Sequence, residues 1–334
     1  MCMTTDKRGV YVGRVLENRK LCEEHFRLRL ELATFPDSRA GQFVQLLCRG
    51  PGEPAGSVDR PWEAGEWPAV SGPELAGREP LLRRPLSLAG FCRAGERGRD
   101  ALDMRGRDAR ATGGAEVEVI YRTVGTGTNW LGSVGVGAEL SVLGPLGNGF
   151  SVRPGLSRAA VISGGVGIGP ILFLARTLRE AGVEVVAFCG ARSARLMPLT
   201  VVAGTEPSPV GEPLLCVEEF ARLGVKTVVT SDDASVGVGG TVTEAFRHWL
   251  NAHVPDAGEL AVYSCGPEPM MRAAADMCLA RGYACHLALE RHMACGMGTC
   301  QSCIVKLRDP NDRGWSFKLC CTDGPVFDAR NLLW

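Results

Sequence analysis

"RAAVISGGVGIGPILFLARTLREAGVEVVAFCGAR" runs from Arg158 to Arg192 and decides the architecture of the middle of the chain. A continuous apolar strand, a glycine loop, an amphipathic helix and a second apolar strand follow one another, which is a βαβ unit. "VKTVVTSDD", "TVTEAFRHWLNAHV", "GELAVYSCGPEPMMRAAADMCLARGY" and "ACHLALE" keep up the alternation. Residues 156–286 therefore read as a parallel, doubly wound α/β domain. No internal repeat or low-complexity tract appears.

Two segments of this domain carry chemistry. In "SGGVGIGP", Ser163 to Pro170, the amides around Gly164, Gly165 and Gly167 and the following helix N-terminus are placed to face a phosphate. The same glycines would be needed by any tight strand-to-helix turn. "CGPEPMM" puts Cys265 and Gly266 at the C-terminal end of a later strand, where open α/β sheets bind ligands. The two together predict a nucleotide site.

Upstream, "GVYVGRVLENRKL", "FRLRLEL", "GQFVQLLC", "LLRRPLSLAGF" and "EVEVIYRTV" alternate at period two, without helical stretches between them. They predict an antiparallel β-barrel over residues 8–155, closing near "ELSVLGPLGNGF". Two polar stretches without periodicity, about 49–80 and 93–114, read as insertions or long surface loops. "RRPLSL" offers Arg84 for a forked pair with a diphosphate and Ser87 for a polar ring edge, although an exposed arginine beside a strand proline would look the same. "YRTVGTGTNWL" adds Arg122 and a Gly125-Thr126-Gly127-Thr128 loop whose amides suit phosphate.

Residues 287–334 hold the most specific spacing. Cys295-x4-Cys300-x2-Cys303, then seventeen residues, then Cys321, is close to the plant-type pattern for a 2Fe-2S cluster. Gly296 and Gly298 let a short loop wrap a small inorganic core with its amides turned toward the sulfurs. A structural zinc site would also use four thiolates, but normally as two C-x2-C knuckles. Local spacing leaves the fourth ligand open between Cys320 and Cys321.

Composition excludes several classes. With 37 basic and 37 acidic residues among 334, no global charge points to nucleic acid or an anionic membrane. No apolar run follows a basic segment at the start, and none of about 18 residues occurs later, so a cytoplasmic protein is expected. Nine of the fourteen cysteines, Cys2 to Cys285, are scattered, which fits reduced thiols plus one dedicated cluster.

R-P-x-S and GxGT in a barrel, GGxGxxP and CGPxPM in an α/β domain, and a C-terminal C-x4-C-x2-C…C together resemble the ferredoxin-reductase superfamily. Within it, "ERHMACGMGTCQSCIVK" and "CTDGPVF" resemble the electron-transfer subunits of class 1B dihydroorotate dehydrogenases. The likeness spans nearly the whole chain apart from the two insertions. It implies FAD contacts at Arg84, Pro85, Leu86, Ser87, Ile120, Tyr121, Arg122, Gly127 and Thr128, and NAD at the α/β domain. Because the family's last cluster ligand directly precedes x-D-G-P-V-F, the resemblance implies Cys321. It further implies a partner, an FMN-containing catalytic subunit in a heterotetramer, with electrons passing from dihydroorotate to NAD+ in pyrimidine synthesis.

Departures from the family pattern are local. Leu86 stands where many ferredoxin reductases have an aromatic but the dihydroorotate subunit family also has an aliphatic, which favours that family; Ala234 stands where glycine is usual. A related diaphorase subunit, of a ferredoxin:NADP oxidoreductase or sulfide dehydrogenase, shares these motifs. Arg192, Ser193 and Arg195 in "GARSARL" could hold a 2′-phosphate or be solvated loop charges. A non-catalytic iron-sulfur or zinc protein would lack a reason for Arg84, Ser87, Gly127 and Thr128.

Overall fold

The computed structural model describes residues 8–50, 82–93, 114–253, 255–311 and 313–334. Both polar insertions, apart from Arg49, Gly50, Arg93 and Gly114, fall outside the described residues. Six antiparallel strands make a closed barrel: β1 (Gly9–Lys20), β2 (His25–Leu32), β3 (Phe43–Leu46), β4 (Arg84–Arg93), β5 (Ala115–Arg122) and β6 (Glu139–Leu146). The spatial order is β1-β2-β5-β4-β3-β6, and β6 closes on β1.

Period-two alternation sorts the barrel's side chains. Leu28, Leu30 and Leu32 of β2 and Val117, Val119 and Tyr121 of β5 are buried in the apolar interior. The intervening Arg27 and Arg29 pair across the ladder with Glu118 and Glu116 at 2.9 and 2.8 Å. Asn18 closes one end by tying the short helix α1 (Thr126–Gly132) down. Its Nδ2 donates to the carbonyls of Leu131 and Val134 at 2.7 and 2.9 Å, and its Oδ1 accepts from Tyr121 Oη at 2.9 Å. Carbonyls at a helix C-terminus need such outside donors.

The second body is a parallel sheet built from β7 (Arg158–Gly164), β8 (Glu184–Ala191), β9 (Lys226–Ser231), β10 (Val238–Gly239), β11 (Leu260–Cys265) and β12 (Ala284–Ala288). Its helices are α2 (Ile168–Glu180), α3 (Glu218–Ala221), α4 (Val242–His253) and α5 (Glu268–Leu279). In the order β10-β9-β8-β7-β11-β12 the chain moves outward on one side of β7 and then returns to its other side. The crevice between the C-terminal ends of β7 and β11 is thus the topological switch point, where open sheets take ligands.

Helix α2 is buried all round from Ile168 to Ala175 rather than along one stripe. The reason is the barrel on its outer side. A Cβ on Gly169 would stand 3.4 Å from Ala89 Cβ and 3.7 Å from Ile120 Cβ, so the helix lies against β4 and β5.

After Ala288 the chain forms a hairpin, β13 (Ile304–Asp309) and β14 (Gly314–Leu319), and returns as β15 (Val326–Asp328). Strand β15 pairs antiparallel with β12 and extends the parallel sheet. The barrel holds it too: Asn148 Nδ2 donates to the carbonyls of Asp323 and Val326, and its Oδ1 accepts from Val326 N, each at 2.9 Å. Phe43 and Leu146 of the barrel share one apolar core with Leu289, Cys303, Cys320, Cys321 and Phe327. The cysteine segment is bolted to both other bodies.

Candidate cofactor-binding site

Strand β4 and the loop before α1 are brought together. The Arg84 guanidinium lies over Gly127 so closely that a Cβ there would stand 2.9 Å from Arg84 Nε. No described carboxylate pairs with Arg84, whereas Arg122 is ion-paired with Glu24. Thr128 Oγ1 accepts from the amides of Val124 and Gly125 at 2.9 and 3.2 Å, and so shapes the loop from within. Around Gly125 the space is open.

The remaining flavin-motif residues divide by face. Ser87 is paired with Phe43 and Pro85 with Gln45, so these four side chains share one face of the β3–β4 ladder, while Leu86 shares the other with Val44. Ile120 stands at the seam with α2. Tyr121 is fully buried, stacked on Phe26 with ring centroids 5.6 Å apart, which leaves its backbone for any outside contact.

At the switch point the two predicted nucleotide segments touch. A Cβ on Gly164 would meet Met270 Sδ and Pro267 Cδ at 2.9 Å, and one on Gly167 would run into the Cys265 carbonyl. Gly266, with φ +155°, packs against the Gly164 backbone. These glycines allow two backbones to cross. Gly165, with φ +55° and nothing near its Cβ position, is the one that borders open space.

The late cysteines stand as two pairs. Cys295 Sγ accepts from the amides of Met297 and Cys300, and Cys303 Sγ accepts from the amide of Cys321, all at 3.4 Å. Cys320 turns away: its Sγ donates to the Leu289 carbonyl at 3.4 Å. The two neighbours thus meet different groups: the Cys320 sulfur faces Leu289, and Cys321 stands beside Cys303. Among the described residues no three His, Cys, Asp or Glu side chains converge as ligands of a single ion would.

Electrostatics differ along the loop. Hydrogen bonding to Ser302, helped by nearby amides, pulls the exposed Cys300 thiol down to about 6. Burial, and then the neighbouring Cys303, pushes Cys321 up to about 12. Gly296 and Gly298 have φ of +71° and +93°, the left-handed region that lets the loop turn its amides inward. Sulfur-directed amides and two thiol pairs fit a small cluster of two irons, each held by two thiolates.

Two residues at the seams between the bodies lay outside the sequence reading. Asn148 ties barrel to cysteine segment, and nothing in "GPLGNGF" distinguishes it. Gln45 is fully buried on β3, its Nε2 and Oε1 both without a partner among the described residues. A polar residue inside the otherwise apolar "FVQL" was the available signal.

Barrel, doubly wound sheet and four-cysteine hairpin define a ferredoxin-reductase-like fold with an attached iron-sulfur type module. The solved structure of an NADH-dependent reduced ferredoxin-NADP oxidoreductase superposes with a TM-score of 0.67 over 96% of this chain and 90% of that one, at 22% identity. Residues 290–333 match the family described as the iron-sulfur cluster binding domain of dihydroorotate dehydrogenase B. The electron transfer subunit of dihydroorotate dehydrogenase B (NAD(+)) from Bacillus caldolyticus is 34% identical over 263 residues, 77% of this chain and 82% of that one. Its counterpart from Caldanaerobacter subterraneus subsp. tengcongensis is 28% identical over 322 residues, 96% of this chain and 97% of that one. The chain belongs to the family of electron-transfer subunits of NAD-dependent dihydroorotate dehydrogenase B.

Proposed function

We propose that this chain is the electron-transfer subunit of an NAD-dependent dihydroorotate dehydrogenase. It passes electrons from dihydroorotate oxidation in an FMN-containing catalytic partner to NAD+, in pyrimidine biosynthesis. The observation that supports this best is the joining of three sites in one chain. Arg84 over the Gly127 loop, the Gly167–Cys265 crossing and the paired thiols are held together by β15 and Asn148.

When bound, FAD supplies the exchange between two-electron hydride chemistry and single electrons, and the 2Fe-2S cluster carries those single electrons. Arg84 and the Gly125–Thr128 loop hold the diphosphate of FAD, with Ser87 toward the polar edge of the ring. The crevice at Gly165, Cys265 and Gly266 takes the nicotinamide dinucleotide. Cys295, Cys300, Cys303 and Cys321 hold the cluster, and Cys320 braces its loop through Leu289.

The three bodies are the proposed domains, residues 8–155, 156–286 and 287–334, assembled with the catalytic partner as a heterotetramer. No described helix is long and apolar enough to cross a membrane, and a cytoplasmic setting fits this reading. The fold likeness to the ferredoxin-NADP oxidoreductase supports a second reading, a diaphorase subunit for another oxidoreductase. Purified holoprotein, alone and with a dihydroorotate dehydrogenase catalytic subunit, separates them. The first reading expects dihydroorotate-dependent NADH formation only in the mixture; NAD(P)H-driven dye reduction without that coupling would favour the second.

A further inference from the structure

Among the described residues, Gln45 is the buried side-chain amide at the seam between the flavin strands and the cysteine loop whose two polar atoms both lack a partner. A buried amide left unsatisfied has its desolvation uncompensated, so a polar ligand on that face is the ordinary reason to keep one. Its neighbour identifies the side from which that ligand comes. A Cβ on Gly296 would stand 2.6 Å from Gln45 Cδ and 2.7 Å from Nε2, so the cysteine loop lies directly against the carboxamide one residue after Cys295.

The other side of Gln45 is the flavin motif. Gln45 is paired with Pro85, and Phe43, two residues earlier on the same face, is paired with Ser87. Alternate residues on one strand face are about 7 Å apart. One side chain thus links the cluster loop to the strand that carries R-P-L-S.

We propose that Gln45 is a positioning residue for electron transfer: its amide plane seats the Gly296 backbone, and its Nε2–H, which makes no bond to the Cys295 thiol, would donate to an inorganic sulfide of the cluster. This rests on the flavin and cluster reading above. Donors to cluster sulfurs stabilise the reduced state, because reduction adds negative charge to those sulfurs. Removing the donor must therefore lower the reduction potential of the cluster and leave that of the flavin in place.

The test is an EPR-monitored redox titration of the full-length holoprotein and of Gln45→Leu, Gln45→Met and Gln45→Glu, with iron and FAD contents measured in each. Leu and Met remove the donor at similar volume, and Glu keeps the shape. The expected result is about a tenfold fall in the reduced-to-oxidised cluster ratio at fixed potential, a shift of about 59 mV for one electron. FAD content and flavin potential stay unchanged. If no variant retains iron while all retain FAD, the seating role is supported. An unchanged cluster potential and EPR spectrum in any iron-loaded variant overturns the proposal, as does a shift confined to the flavin. A wild-type protein without a 2Fe-2S signal would instead overturn the functional reading on which it rests.

Discussion

Two of the glycine-rich loops in the molecule answer different needs. In the loop at 163–170, Gly167 leaves room for the Cys265 backbone and Gly164 for Pro267 and Met270, while Gly165 borders open space. In the loop at 295–303, Gly296 and Gly298 adopt left-handed backbone and turn amides toward sulfur, and Gly296 also rests on Gln45. Glycine spacing therefore reports a backbone requirement. Which ligand it serves has to be read from the atoms that face the loop.

The sharpest way to break this comparison lies in the adjacent cysteines. Cys321→Ser is expected to abolish iron binding and coupled NAD+ reduction. Cys320→Ala is expected to keep both, with a loss of about 1 kcal/mol in stability. Iron content and visible absorbance decide it, and equal iron loss in both variants would break the assignment.

The nucleotide loop comes next in size. Gly167→Ala forces a methyl into the Cys265 carbonyl. Overpacking of this kind costs about 1–3 kcal/mol, and the KM for NADH should rise while FAD and iron contents hold. Urea unfolding and steady-state kinetics measure the two effects.

Gly296→Ala is the matched change in the other loop. Left-handed backbone costs an alanine about 1–2 kcal/mol, and the methyl would strike Gln45. Iron should be lost faster to a chelator, with the KM for NADH unchanged. Swapped outcomes for the two glycine variants, iron loss from Gly167→Ala or weakened NADH from Gly296→Ala, would contradict the division of labour.

The smallest effect sharpens the rule from the opposite direction. Ala234 holds φ +56°, in the left-handed region that favours glycine. Ala234→Gly should raise stability by up to about 1 kcal/mol, read as a higher urea midpoint at constant m. No gain would mean that the surrounding turn sets that conformation at no cost to alanine.

Much of this was legible in the sequence, because both sheets announce themselves by period and the cysteine spacing is dense with constraint. Period-two alternation placed Leu28, Leu30 and Leu32 on one face, and the βαβ run placed Gly164 to Gly167 at a strand end. What stayed hidden depends on contacts between bodies remote in sequence. The burial of α2 needs the barrel at Ala89 and Ile120; the role of Asn148 needs Val326, 178 residues away. Cys320 and Cys321 are equivalent in spacing and differ only in which way the chain turns their sulfurs. Tyr121 lies in a flavin motif, yet its ring belongs to the barrel interior, which follows from strand phase and not from the motif.

The central claim is that this chain couples a catalytic partner to NAD+. The most direct measurement is NADH formation from dihydroorotate by the catalytic subunit with the wild-type chain and with Cys321→Ser, both loaded with FAD. The account expects NADH only with the wild-type chain, and NADH-driven dye reduction by the variant retained. Equal NADH formation with both chains, or none with a wild-type chain carrying flavin and cluster, would contradict it.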